Sequence, residues 1–203
     1  MQKDTIDFRK EEIINSCEKL YKTFSFKDIT IKSIGENTTF SRTSIYNYFQ
    51  TKEEIFLALM KREYDRWIKD LEDVYNNNLV LSKQEFAEKL AQTVEKREKL
   101  LKLLSMNMYD IEANSRIEEL IEFKKSYGSA INTVKKCLDK FFNDMDEKGK
   151  ENFIFLFFPF LFGIYPYTEA TEKQMKAMEV AKVPTKTLSR YEITYNVVIK
   201  LLN

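Results

Sequence analysis

The sequence predicts an all-α protein, an N-terminal three-helix helix-turn-helix domain followed by a larger helical domain, with about nine to ten helices in all. Three observations carry that prediction. The 203 residues hold only 4 Gly and 3 Pro, so few positions favour the tight turns of a β-rich chain. Apolar residues recur at intervals of three and four, the spacing that lines one face of an α-helix. Finally, a Ser or Thr stands three residues before Glu or Gln at Thr51/Glu54, Ser82/Glu85 and Thr171/Gln174. There a hydroxyl can accept from a first-turn amide while the acid or amide side chain reaches back.

Taken in order, Ile13, Ile14, Cys17, Leu20, Tyr21 and Phe24 form one stripe and place a first helix over about Asp7 to Phe24. Thr30 caps a short second helix, and Ser41 to Asn47 form a third. Ile31, Ile34, Phe40, Ile45 and Phe49 face the interior. The Thr51/Glu54 box opens a long fourth helix carrying Ile55, Leu59, Trp67 and Leu71, which breaks at Asn76-Asn77-Asn78. The Ser82/Glu85 box starts a helix with Phe86, Leu90 and Val94, and another follows over about Lys96 to Ile111. Ser115 to Phe142 read as a long amphipathic helix. Glu151 to Tyr165 are apolar nearly all round, which demands cover on several sides, and Pro159 should kink this helix. A strand over Phe153 to Phe162 is the alternative, disfavoured by helical neighbours and the lack of hairpin signals. Thr171 to Ala181 form a short helix, and Pro184 precedes a last one over about Thr187 to Leu202.

Composition narrows function. Hydrophobic residues make up 43% and aromatics 14%, enough for a folded core. There is no histidine, so Ser-His-Asp and Cys-His catalysis lack their base, and most catalytic zinc sites lack a ligand. Cys17 and Cys137 have no CxxC spacing and read as small buried hydrophobes in a reducing compartment. No Gly-rich phosphate loop or metal-ligand cluster is visible, so neither enzyme, cofactor nor metal is expected. The N-terminus has no apolar leader region, and Phe153 to Tyr165 fall short of the ~20 residues that span a bilayer. A cytoplasmic protein without a membrane partner is expected. Lys and Arg number 33 against 32 acids, a net charge of +1 that argues against a histone-like coat protein.

The local distribution of charge says more. Between Asn37 and Lys52 there is no acid at all. The outward positions of the third helix (Arg42, Thr43, Ser44, Tyr46, Asn47 and Tyr48) are small, polar or phenolic. A face pressed against phosphates excludes carboxylates, hydroxyls reach phosphates and base edges, and Arg grips guanine bidentately. Two short helices joined by a tight turn are helix-turn-helix spacing.

Ser41-Arg42-Thr43-Ser44-Ile45-Tyr46-Asn47-Tyr48-Phe49-Gln50-Thr51-Lys52-Glu53-Glu54-Ile55 resembles the DNA-binding signature of the tetracycline-repressor (TetR) family. That signature is a Ser, three variable residues, an aliphatic, Tyr, one residue, an aromatic or His, Phe, then a Ser/Thr/Asn-Lys-Glu/Asp helix start. The resemblance covers about Arg9 to Leu59. One departure is Thr39, where the family commonly has a turn glycine. Either Thr39 bears a strained positive φ or the turn is built differently. The resemblance implies domains over 1–50 (DNA binding) and 51–203 (effector binding and dimerisation). It also implies roles: Arg42 and Thr43 on base edges, Ser44 on a base or phosphate, and Tyr46 and Tyr48 on the backbone through their hydroxyls. Ser41 and Asn47 complete the interface, Thr30 and Lys32 anchor the second helix, and Lys52 with the first-turn amides of the fourth helix would bind a phosphate.

It further implies a homodimer on a palindromic double-stranded operator, with half-sites about 34–36 Å apart. The interface expected for it comprises Phe153, Phe157, Phe160, Leu161 and Ile164 with Tyr191, Tyr195, Val198 and Leu202. An effector cavity would be walled by Trp67, Phe86, Met106, Met108, Tyr109, Phe123, Tyr127, Phe155, Phe158 and Phe162, a lining suited to a largely apolar small molecule. The reading is a ligand-responsive transcriptional repressor. A helical protein–protein adaptor is the alternative, but it would have no use for an acid-free recognition window.

Overall fold

In a computed structural model, residues 2–39, 41–184, 186 and 188–203 are described, with side chains from Ile6 onward. Among them are twelve helices and no strand, so Phe153 to Phe162 are helical and the all-α prediction holds. The chain folds as two compact units, Met1–Arg62 with Asn107–Tyr127, and Glu63–Met106 with Gly128–Asn203.

The first unit holds α1 (Gln2–Tyr21), α2 (Ile31–Gly35), α3 (Arg42–Ile45), the start of α4 (Lys52–Asn76), α7 (Met108–Ala113) and the start of α8 (Ile117–Phe141). The α1 stripe is buried at Ile13, Ile14, Cys17 and Tyr21, whereas Phe24 lies beyond the helix and is half exposed. Ile34, Ile45 and Phe49 are wholly buried with Ile55, Phe56 and Leu59 of α4. Phe56 takes Tyr21 and Phe26 edge-on, at ring separations of 5.2 and 4.8 Å. Phe40, expected in this core, lies outside the described residues.

The second unit holds the rest of α4 and α8 with α5 (Lys83–Glu95), α6 (Glu98–Leu104), α9 (Glu147–Gly163), α10 (Tyr165–Thr168), α11 (Glu172–Val180) and α12 (Arg190–Leu201). Its core is aromatic: Trp67, Phe86, Phe153, Phe157 and Phe158 are all at most 1% exposed. The Trp67 indole donates to Thr93 Oγ1 at 2.9 Å, which satisfies its one polar atom. α12 packs chiefly on α5, with a smaller contact to α9.

Three local departures have physical reasons. The helix expected over Lys96 to Ile111 is broken between α6 and α7 by Ser105 and Asn107. The Ser105 hydroxyl donates to the Lys102 carbonyl at 2.8 Å, and the Asn107 amide donates to Asp110 Oδ2 at 2.7 Å, so both side chains compete with the helix ladder. The last helix starts at Arg190, behind a Ser189/Glu192 capping box; Thr187, its expected start, is outside the described residues. The Thr51 box is only half formed. Glu54 N–H donates to Thr51 Oγ1 at 3.2 Å, but the Glu54 carboxylate turns to the Gln50 amide at 2.7 Å. Helix α9 continues through Pro159 to Gly163. The hydrogen bond that proline removes would fall on Phe155, which is 74% exposed, so water can serve the freed carbonyl.

Candidate nucleic-acid interface

The Thr30 hydroxyl accepts from Ser33 N–H at 3.1 Å and Thr30 N–H donates to Ser33 Oγ at 2.9 Å, a capping box that starts α2. Its hydroxyl is therefore occupied by the helix it begins. Buried Ser16 of α1 donates to the Ile34 carbonyl at 2.7 Å and ties down the other end of α2. At α3, Ser41 Oγ accepts from Ser44 N–H at 3.3 Å, while Ile45 and Phe49 are wholly buried. This anchoring turns Ser41, Arg42, Thr43, Tyr46 and Asn47 to the exposed side, with Ser44 and Tyr48 half-buried. Beyond Ile45 the chain continues in tight turns: Tyr48 and Phe49 N–H both donate to the Ile45 carbonyl, at 2.8 and 3.0 Å.

The connection between α2 and α3 answers the question of Thr39. Among the described residues only Lys182 is a non-glycine with positive φ, so Thr39 carries no left-handed strain. The turn is built on Glu12 of α1, whose carboxylate accepts from Thr39 N–H at 2.5 Å and from the Thr39 hydroxyl at 3.1 Å. Two charge-assisted bonds replace what a glycine's conformational freedom would supply.

The cations of the surface are arranged unevenly. Arg42 Nη2 donates to the Tyr46 hydroxyl at 3.2 Å and its guanidinium lies 5.9 Å from that ring's centroid. Arg9 of α1 donates to the Tyr48 hydroxyl at 3.4 Å, bringing a further cation that the motif does not contain. Lys32 is largely exposed, 3.9 Å from Glu36. Lys52 departs from expectation. Its ammonium donates to the carbonyls of Phe26 at 2.8 Å and Ile29 at 3.1 Å, and sits 4.2 Å from the centre of the Phe26 ring. It bolts the loop before α2 to the start of α4.

Behind the turn that follows α3 lies an ion pair invisible to the motif. The Glu54 carboxylate is wholly buried. Arg116, just before α8, gives it the backbone N–H and Nε on Oε1, at 3.0 and 2.7 Å, and Nη2 on Oε2 at 2.9 Å. Burial pushes the Glu54 carboxyl up, but the Arg116 side chain, the Gln50 and Arg116 amides and the Arg116 charge together hold it below the ordinary carboxylate value. No periodicity or short motif links residue 54 to 116, or 12 to 39, so sequence reasoning missed both.

In the second unit, the residues expected at a dimer interface divide. Phe153, Phe157, Leu161, Ile164, Val198 and Leu202 are at most 3% exposed, packed inside their own chain, and Phe160, Tyr191 and Tyr195 are half-buried. The open face of α9 is instead Phe155 (74% exposed), Leu156 (57%) and Pro159. Of the expected effector wall, Trp67, Phe86, Phe123 and Phe158 are core. Met106, Met108, Tyr127 and Phe162 are half-buried, while Tyr109 and Phe155 face outward. Two open grooves, of about 270 Å³ beside Asp70, Asn77 and Gln92 and about 310 Å³ beside Phe142, Met145 and Leu202, use none of these ten side chains. Among the described residues no three His, Cys, Asp or Glu side chains gather as metal ligands, and no helix is long and apolar enough to cross a membrane.

Comparison with known proteins places this architecture. The family model of the tetracyclin repressor-like C-terminal domain matches residues 61–188. An uncharacterized HTH-type transcriptional regulator of Bacillus subtilis, YfiR, is 30% identical over 70 residues, and the match spans 34% of either chain, about a third of that relative's length. Among solved structures, the fatty acid degradation regulator FadR of Bacillus halodurans superposes with a TM-score of 0.59 at 15% identity, over 96% of this chain and 95% of that one. A TetR/AcrR-family transcriptional regulator of Thermobifida fusca superposes with a TM-score of 0.64 at 15% identity, over 96% and 97%. These likenesses establish the fold, and the family match goes further: the chain belongs to the TetR family of transcriptional regulators.

Proposed function

We propose that the chain is a dimeric, ligand-responsive repressor that reads a palindromic operator through the residues exposed between α2 and α4. The observation that carries this is the exposed, acid-free turn holding Ser41, Arg42, Thr43, Tyr46 and Asn47. Arg42 and Thr43 read base edges, and Ser44 supports them. Tyr46, Tyr48 and Lys32 hold phosphates with the first-turn amides of α4. Thr30 and Lys52 serve this surface from behind, as cap and bolt. In the dimer, the open α9 face of Phe155, Leu156 and Pro159, rather than the buried stripe beside it, meets its counterpart on a second copy.

The effector is a largely apolar small molecule admitted among Trp67, Phe86, Met106, Phe158 and Phe162 of the second unit. Trp67 and Phe158 pack with ring centres 5.9 Å apart, so binding requires these side chains to part. Repression is then relieved by a population shift toward a state that the operator does not accept, driven by the ligand's greater affinity for that state. Target DNA is obtained by selecting duplexes from a random library with the wild-type protein, and affinity is measured against salt. Enrichment of a two-fold symmetric sequence with a steep salt slope is the expected outcome. Absence of any salt-dependent duplex binding would refute it and favour the adaptor reading, which the open α9 face would also serve.

A further inference from the structure

We infer that Arg116, outside the helix-turn-helix, is a positioning residue for DNA reading: it fixes the end of the recognition turn by gripping the Tyr48 carbonyl and the buried Glu54 together. The inference rests on the DNA-reading role proposed above and adds a residue to it from within the segment matched as the family's C-terminal domain.

The tight turns after α3 use the Ser44 and Ile45 carbonyls, whereas the Tyr48 carbonyl lies outside any helix. Arg116 Nη2 takes the one at Tyr48, at 3.1 Å, while the same guanidinium is forked onto Glu54. Glu54 in turn accepts from Gln50 N–H, and the Thr51 hydroxyl donates to the Asn114 carbonyl at 2.9 Å. Four successive residues that set the exit of the recognition turn, Tyr48 to Thr51, thus include three held directly by Glu54 or by the chain at 114–116. The chain of charges continues outward. Arg116 Nη2 is 3.7 Å from Glu119, and Glu119 is 3.3 Å from Lys10 of α1, so the clasp is anchored at both ends.

The chemistry requires arginine. A carboxylate with no exposed surface needs a compensating charge, and lysine could supply one. The planar fork sets two different nitrogens on the two carboxylate oxygens while one of them also serves the carbonyl, whereas lysine has a single nitrogen for all three. Substitution by lysine therefore separates charge compensation from positioning. If the clasp positions the turn, losing the fork lets the base-reading side chains drift while phosphate contacts, which tolerate displacement, survive.

The test uses the full-length protein and two probes, the duplex that the wild type enriches from a random library and a scrambled duplex of the same length and composition. Arg116→Lys and Arg116→Met are compared with Leu90→Ala, a destabilising control at a buried residue of α5 in the second unit. Fluorescence anisotropy reads affinity, and circular dichroism reads folding. Arg116→Lys is expected to stay folded and lose at least tenfold affinity for the enriched duplex. Its affinity for the scrambled duplex should stay within twofold, and its selected sequences should be less uniform. Leu90→Ala should lower the melting temperature without altering the ratio of the two affinities. An unchanged ratio in Arg116→Lys overturns the inference, as does its failure to fold, which would make the residue a determinant of the fold alone. A wild-type protein that enriches no duplex overturns the DNA-reading proposal itself, and this inference with it.

Discussion

Replacing Lys52 with methionine separates two roles that the motif alone confuses. In the signature this lysine looks like a phosphate ligand; in the structure its ammonium is engaged with the Phe26 and Ile29 carbonyls, at 2.8 and 3.1 Å, and with the Phe26 ring at 4.2 Å. Hydrogen bonds from a charged donor contribute about 1.5–3 kcal/mol each. A half-buried cation over an aromatic face adds about 0.5–1 kcal/mol. Against this stands the ammonium's desolvation, which methionine avoids while keeping most of the stem's contact with Phe26. The two carbonyls lie in a loop, where water can replace part of what is lost. The net cost of Lys52→Met is therefore about 2–3 kcal/mol rather than the full sum of about 4–7. For a chain of this size that is a fall in melting temperature of roughly 4–12 °C. Circular dichroism melting reads it directly. The companion measurement is the slope of log affinity against log salt on the enriched duplex, which should hold within experimental error. A phosphate ligand would behave in the opposite way, lowering the slope by about 0.9 per contact with the fold intact. An unchanged melting temperature with a reduced slope would refute the assignment of Lys52 as a bolt.

Arg42→Ala should weaken binding to the enriched duplex by about 1–3 kcal/mol and relax preference at one base pair, read by mobility shift on single-substitution duplexes. Leu156→Glu puts a charge on the open α9 face without touching the core, and should convert a dimer to a monomer in light scattering at micromolar protein. Cys17 and Cys137, buried and pushed up to about 12 and about 11 by desolvation, should resist a thiol reagent at pH 8 until urea is added. Glu54, held below the ordinary carboxylate value, contributes stability that is present above that value and lost as pH falls through its folded one. Acid titration of folding should therefore show less loss below about pH 4.3 in Glu54→Gln than in the wild type, measured from each protein's own neutral baseline.

What the sequence made legible was local. Caps at Thr30, Ser82 and Thr171 lie within three residues of their partners, and so declare the helices they start. Buried Ile34, Ile45 and Phe49 follow from period alone, and those same three fix which residues of the recognition turn must face out. The contacts that brace this surface are of another kind. Glu12 reaches Thr39 across 27 positions and Glu54 reaches Arg116 across 62, and nothing in the intervening chain encodes either distance. Thr39 shows the consequence. Its conflict with the family's usual glycine is a conflict only if the turn is considered by itself; with a carboxylate from α1 supplying two bonds, an ordinary backbone conformation suffices.

Helix α9 shows a second kind of illegibility. A helix that is apolar nearly all round gives no stripe, so period cannot tell the side covered by its own chain from the side left open. Phe153 and Phe155 are equally apolar and two positions apart, yet one is 1% exposed and the other 74%. What distinguishes them is which neighbours α9 meets: Phe86 and Phe157 lie against Phe153, a fact of tertiary packing alone. The surplus of apolar residues still carried information, because a helix needing only its own core would present polar residues at Phe155, Leu156 and Pro159. In the dimer proposed above, this excess is covered by the second copy, on the side that Phe155 and Leu156 face. That is why substitution at Leu156, rather than at Phe157, can test association without unfolding the chain. Phe157 would have been the natural choice from sequence, but its ring lies 6.4 Å from Trp67 and 5.6 Å from Phe153, so truncating it would open the core and leave the cause of any dissociation ambiguous.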